Sequence, residues 1–440
     1  MSKYATPGVY VEEKSILPPS IVQVSTAIPV FLGYASGGEI GKPIRITSLK
    51  EFEDHFKDPT VNPAIAKAGK SYEFNFTGTQ AAMPETNFFL YEAIQLYFMN
   101  GGGACYIIKV EDFSDGVKES HFTATTGIPL IEKMDEPTLI AFPEAVELDA
   151  SDYAKVVSAA MTVCATTKDK FTLIDSPNGM DLLDVPGELT DYRSQAITSN
   201  DVSYGAAYYP TLKTVVRVGV DESNFPGSPV VGSADYQNIL NSVNAVNRVV
   251  VPPSALIAGV YAKIDRDYGV WKAPANLSLQ GVIKPSVQIS DANQEHLNVD
   301  ATSGKSINAI REFAGKGTVV WGARTLDGNS NEWRYINVRR LFMTVEESVK
   351  KATAQFVFEN NDAKTWVKVS SMIKSYLNGL WKEGALTGAS PEEAYFVNVG
   401  LGTTMTQQDV LEGRMIVKIG LAAVRPAEFI ILEFSHFVNQ

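Results

Sequence analysis

The two ends of this chain constrain it more than anything between them. Near the start, Gly8-Val9-Tyr10-Val11-Glu12-Glu13 has the β-branched and aromatic content of a short strand, bounded by Pro7 and by Pro18-Pro19. At the other end, beyond Pro426, Glu428–Phe437 is again strongly β-prone. The N-terminal segment has no hairpin partner beside it in sequence. A strand needs its backbone groups paired, so the N-terminal segment pairs with something distant or with another chain, and the C-terminal one is a second strand-like end open to a partner. The bland alternative for the N-terminal segment is a frayed terminus.

Between the ends the elements are readable. Ile28–Leu32 is an apolar strand, followed by a turn at Gly37-Gly38 and a short helix capped by Ser48. Thr86–Met99 is an apolar helix that stops at Asn100-Gly101-Gly102-Gly103, and Cys105–Val110 is the next strand. Pro137–Phe142, a helix over Ser151–Thr166 with Ser151 as cap, and Lys170–Ile174 make a strand–helix–strand unit of α/β type. In the C-terminal third, Thr318–Trp321 is a strand and Met343–Glu359 a helix. Lys364–Glu383 is a second helix with Trp366, Val369, Ile373, Tyr376, Leu377 and Leu380 on one stripe, ended by Gly384. Strands follow at Ala394–Val399 and Met415–Val424.

Composition narrows the function classes. With 440 residues, 45% of them hydrophobic, the chain can bury a sizeable core, and global disorder is excluded. The formal net charge of −12 argues against a surface built to hold nucleic acid. That charge is concentrated: residues 111–250 carry 9 basic and 21 acidic side chains, while the rest of the chain is balanced. Cys105 and Cys164 form no CxxC element, and His55, His121, His296 and His436 show no ligand spacing, so neither a disulfide framework nor a metal site is expected. The start lacks the apolar run of a signal peptide, and no stretch approaches the roughly 20 apolar residues of a membrane span. The expectation is a soluble chain made in the cytoplasm.

Fragments that look catalytic fail on context. Ser303-Gly304-Lys305-Ser306 has the tail of a phosphate-binding loop, but Val299 stands where the motif needs its first glycine. The glycines 101–103 follow a helix and precede a strand, the reverse of a phosphate-cradling order, so a helix C-cap explains them. Asp265-Arg266-Asp267 and Asp175-Ser176-Pro177 read as solvated turn residues rather than paired carboxylates. The run Arg334–Arg340, interleaved with Trp333, Tyr335 and Val338, reads as a strand edge with buried and salt-bridged arginines rather than a nucleic-acid surface.

The quoted segments together resemble contractile tail sheath proteins, the family shared by contractile phage tails, phage-tail-like bacteriocins and extracellular contractile injection systems. Thr6-Pro7-Gly8-Val9-Tyr10-Val11-Glu12-Glu13 is similar to the family's opening, and Val251 to Ala262, continuing through Asp265, Arg266 and Gly269 to Asn276, to its central signature. Asn308–Arg311, Val320–Leu326, Trp333–Leu341, Phe358–Asp362, Gly384–Gly388 and Pro426–Phe429 follow in the family's order. Residues 111–250 match only loosely.

The resemblance implies an α+β and α/β multidomain fold. It places an exchange arm at 1–22, the N-terminal part of the sheath core at 23–110, and a variable, acidic, subtilisin-like α/β domain at 111–250 that faces outward. The C-terminal sheath domain at 251–425 is completed by strands from neighbouring subunits, and 426–440 is the second exchange strand. Val9, Tyr10, Val11 and Glu12, with Phe429, Ile431, Glu433 and Phe434, are the implied exchange residues. A short helix at about Thr403–Arg414 is implied to meet an inner tube through Gln407, Gln408, Asp409, Glu412 and Arg414, a solvated surface helix being the alternative. The implied partners are copies of the chain itself, six to a ring, an inner tube, and baseplate and cap proteins. No cofactor, nucleic acid or membrane insertion is implied. The chain would assemble in the bacterial cytoplasm and end in a phage tail or an injection particle. The implied work is mechanical contraction by rigid-body movement. A phage tail rather than an injection system is the alternative within this mechanism, and a hydrolase using the subtilisin-like domain the alternative outside it.

Overall fold

A strand buried on both faces reads as continuous apolar sequence, and this chain has several such runs between helices. The computed structural model describes residues 20–57, 69–178, 180–429 and 431. In it the runs become β1 (Pro29–Tyr34), β2 (Ile44–Ile46), β3 (Cys105–Glu111), β4 (Leu139–Ala141), β5 (Phe171–Ile174), β6 (Gly205–Tyr209), β7 (Ile307–Phe313) and β8 (Gly317–Val320). They form one sheet in the order β8-β7-β6-β5-β4-β1-β3-β2. From β7 to β3 the neighbours are parallel, and β2 and β8 close the edges antiparallel. The sheet draws strands from both sides of positions 110 and 250.

The chain divides into two compact units. Among the described residues the larger comprises Val24–Glu347 with 425–429 and 431, and the smaller Ser348–Val424 with 20–23. The larger holds the sheet, with α1 (Leu49–Phe56), α2 (Leu90–Met99), α3 (Ala150–Thr167) and α4 (Ser254–Tyr268). Ser48 caps α1 as expected, accepting from the Glu51 amide. Asp149, not Ser151, caps α3, accepting from the Asp152 amide. Every residue from Ser254 to Tyr261 is buried, so the first half of α4 is surrounded on all sides, while Lys263, Arg266, Asp267 and Tyr268 in its second half are exposed. Gly259 is what lets it approach α2: a Cβ there would lie 2.6 Å from the Tyr97 carbonyl oxygen.

The helix expected from Thr86 starts four residues later, and the cause is long-range. The Phe89 and Leu90 amides donate to Glu144 Oε1 at 2.7 and 2.8 Å, and the Phe88 amide donates to the Tyr72 hydroxyl. Glu144 Oε2 also accepts from the Tyr34 amide at 2.6 Å. This buried carboxylate lies beyond the ends of β1 and β4, where the strand order reverses. In doubly wound sheets that crevice is where ligands bind; here a side chain of the protein fills it. At the far end of α2, Gly101 takes φ +95° and the Gly102 amide returns to the Tyr97 carbonyl, so the glycine run is a helix cap.

Two sequence expectations are overturned by burial. Asp265 lies on α4 and its carboxylate pairs with Arg340 at 2.5 and 3.0 Å, both side chains under 5% exposed. Asp175 is buried beyond β5 and accepts from the Ser254 amide at 2.9 Å; burial pushes its carboxyl up to about 7. The arginine run is not a strand edge either. Only Tyr335 bridges to Arg324, and at Ile336 the chain enters α5 (Ile336–Thr353), seven residues earlier than expected. Two of its three arginines are buried, Arg340 stacking on Tyr261 and Arg339 lying between the rings of Tyr204 and Trp333, while Arg334 is half-buried and donates to the Gly328 carbonyl.

Candidate functional site

Among the described residues the smaller unit holds a two-stranded sheet. Asp362 caps α6 (Ala363–Lys382) by accepting from the Thr365 amide at 2.9 Å, and Gly384 with φ +85° ends the turn after it. Against α6 packs β9 (Tyr395–Val399), which pairs antiparallel with β10 (Val417–Leu421) from Tyr395↔Leu421 to Val399↔Val417. Val397 is buried, whereas Phe396 and Asn398 are exposed on the other face. The Phe396 ring covers Gly420 opposite it, replacing the side chain that glycine lacks.

Among the described residues β9 and β10 pair only with each other. Among the described residues the outer edges over 395–399 and 417–421 therefore offer unpaired amides and carbonyls, while just beyond β10 residues 422–424 pair with 385–387. A two-stranded sheet is marginal alone in water, and an open edge is a template for another strand.

The loop joining these strands carries the residues expected to meet an inner tube. The helix is shorter than expected: α7 (Gln407–Leu411) starts from a capping box in which Thr406 and Asp409 satisfy each other's amides. Arg414 reaches back to Asp409 at 2.8 Å and Glu412 at 2.6 Å, and Gln408 donates to Glu412 at 2.6 Å. Gln408, Asp409, Glu412 and Arg414 are thus one linked cluster with Gln407 exposed beside it, and Leu411 is 77% exposed. Asp409 is committed to the cap, and its hydrogen bonds from Thr406, with the Arg414 charge, hold it below the usual carboxylate range.

The root of the C-terminal segment, in the larger unit, is clamped. Glu428 accepts from Arg324 Nε at 2.9 Å and Nη2 at 2.7 Å, from Asn298 Nδ2 at 2.8 Å and from the Tyr335 hydroxyl at 3.1 Å. Burial alone would raise this carboxyl, but the bonds from Arg324 and Asn298 outweigh it and hold it below its ordinary value. Arg324 is in turn fixed by Asn308, whose side chain accepts from the Arg324 amide and donates to the carbonyls of Ala207 and Arg324. Residues 426–429 form no strand, and Phe429 and Ile431 are 70% and 83% exposed. Val9, Tyr10, Val11, Glu12, Glu433 and Phe434 lie outside the described residues.

The fragments that resembled catalytic motifs are structural. Lys305 donates to the carbonyls of Arg193 and Ile197, and Ser306 to that of Asn298. Ser254 is fully buried in the first turn of α4. Among the described residues no group of three or more His, Cys, Asp or Glu side chains is placed to hold a metal ion. No helix there is long and apolar enough to cross a membrane.

Comparison with known proteins adds a consistent set of relatives. The family model for the phage tail sheath protein central domain matches residues 154–326, and that for the phage tail sheath C-terminal domain matches 329–436. The tail sheath protein of Vibrio phage KVP40 is 30% identical over 170 residues, 38% of this chain and 24% of that protein. That of Enterobacteria phage T4 is 30% identical over 151 residues, 34% of this chain and 22% of that protein. The matches thus span less than a quarter of these two curated relatives. Solved structures match throughout. The sheath complex of an extracellular contractile injection system (PVC) in the contracted state is 33% identical, with TM-score 0.71, covering 100% of this chain and 99% of that one. The contracted helical sheath of the anti-feeding prophage is 36% identical, with TM-score 0.69, covering 98% and 99%.

Proposed function

The chain belongs to the phage tail sheath family, and from that premise we propose that it is a structural subunit that polymerises into a helical sheath and contracts without nucleotide. Its relatives are structural sheath proteins, not enzymes. The observation that carries the proposal is that among the described residues β9 and β10 pair only with each other, in a chain whose two ends are strand-like in sequence. In this reading Val9–Glu12 of one neighbour and the segment from Phe429 through Ile431, Glu433 and Phe434 of another add strands beside β9 and β10. Main-chain hydrogen bonds then link the lattice, and alternate side chains set the register. Because such contacts run head to tail and do not close, they build a filament of stacked six-membered rings.

The α7 cluster, with Gln407, Glu412 and Arg414 on its surface, is proposed to face an inner tube. The acidic region 111–250, whose parallel strands support a subtilisin-like reading, is proposed to face outward. Baseplate and cap proteins are the further partners. The full-length likeness to PVC and anti-feeding prophage sheaths favours an extracellular injection particle, assembled in the bacterial cytoplasm, over a phage tail. Deleting residues 1–18 tests the exchange: the variant should stay folded by circular dichroism yet form no tubes by electron microscopy. Normal sheaths from that variant would refute it.

A further inference from the structure

One side chain of the smaller unit adopts a conformation that its own chain does not explain. A single 3-10 turn, Ala354–Phe356, follows α5, and Val357-Phe358-Glu359-Asn360-Asn361-Asp362 leads to α6. Phe356 turns partly inward. Phe358 is 102% exposed, the most exposed large apolar side chain among the described residues, and Val357 beside it is 62% exposed. The backbone at Phe358 sits at φ +72°, the left-handed region that bulky residues avoid. Water exposure and backbone sterics both disfavour this arrangement within one chain.

The turn is nonetheless held firmly. The Val357 amide donates to Ala354, that of Glu359 to Phe356, and that of Asp362 to Asn360. Asn361 donates to the Arg414 carbonyl at 3.0 Å and accepts from Trp366 Nε1 at 2.7 Å. A braced frame therefore points an aromatic ring into solvent. Burial against another molecule would recover the ring's hydrophobic free energy and offset the strained backbone.

We propose that Phe358, with Val357, is an inter-subunit knob that inserts into an apolar recess of a second copy of this chain in the assembled sheath. The proposal rests on the sheath reading above. Two observations select a second copy. The solved structures that match this chain end to end are helical sheath assemblies. The tip itself is apolar, which suits a lasting interface core, whereas the neighbouring α7 cluster, tied to it through Asn361 and Arg414, is polar and charged.

Phe358→Asn tests this, because asparagine tolerates the left-handed backbone while removing the ring. The dilute full-length variant should unfold in urea at the same midpoint as the parent or a higher one, since a strained residue is relieved. The concentration needed for sheath assembly should rise at least tenfold, and Phe358→Tyr should restore most of it. A lowered midpoint would show that the ring packs within its own chain and overturn the proposal. Unchanged assembly would also overturn it, as would normal empty sheaths that fail only to coat tubes. If the parent chain forms no sheath at all, the functional reading itself has failed.

Discussion

Glu428 is where the proposed exchange strand is fastened, and removing its carboxylate should release the C-terminal segment. Four donor groups converge on it, two of them the Nε and Nη2 of Arg324, with Arg324 5% and Glu428 22% exposed. A charge-assisted bond contributes about 1.5–3 kcal/mol net, and stranding one partner of a buried pair costs about 3–5 kcal/mol. Detachment would let water reach Arg324, which removes most of the second penalty. An anchoring free energy of about 2–3 kcal/mol remains, so Glu428→Ala should raise the detached population about 30- to 150-fold. A fluorophore on Ile431→Cys reads this directly. Cys105 and Cys164 are buried, and burial pushes the Cys164 thiol up to about 12, so neither competes for the label at neutral pH. Anisotropy decay should show a restrained label in the parent and fast local tumbling in Glu428→Ala. Arg324→Lys, which keeps the charge but loses the two-pronged geometry, should fall between. The Glu428 carboxyl is depressed in the fold, so its contribution is complete above the ordinary glutamate value and lost as pH falls through the folded one; acid should free the label in the parent too. A label equally restrained in Glu428→Ala and in the parent would refute the clamp.

Two further outcomes follow from the packing of the larger unit. Gly259→Ala sets a methyl 2.6 Å from a backbone oxygen of α2, and should cost about 1–3 kcal/mol in urea unfolding without altering the unfolded state's spectrum. Glu92 is wholly buried, with Oε2 lacking a partner among the described residues, and burial pushes its carboxyl up to about 8. Its folded value is raised, so the folded state holds the proton longer, and stability should fall as pH rises from about 4.5 to 8. Glu92→Gln should leave stability near pH 5 almost unchanged and raise it at pH 8 by a few kcal/mol at most, on the order of the shift's full linkage value; the same loss with pH in the variant would contradict this.

Legibility in the sequence followed the range of the interactions. Helix α6 was readable from its stripe and Gly384 because both signals are local, and so were the strands that became β9 and β10. The start of α2 was not, because Glu144, more than 50 residues away, takes the amides that would have opened the helix. The Arg334–Arg340 run was misread for the same reason: Asp265, 75 residues earlier, fixes Arg340 in a helix. Asp149 and Ser151 are both good caps, and only backbone conformation decides between them. At the site, exposed polar residues around α7 were foreseen from type and position. The Arg324–Glu428 clamp spans 104 residues, and nothing local marks either partner.

The central claim is that neighbouring chains finish the β9–β10 sheet, and a reconstruction of the assembled polymer by electron cryomicroscopy tests it most directly. The account predicts a four-stranded sheet in every smaller unit, with residues 9–12 of one neighbour on one edge and residues 429–434 of another on the other. Sheets that stay two-stranded in the polymer, or ends that fold back onto their own subunit, would contradict it.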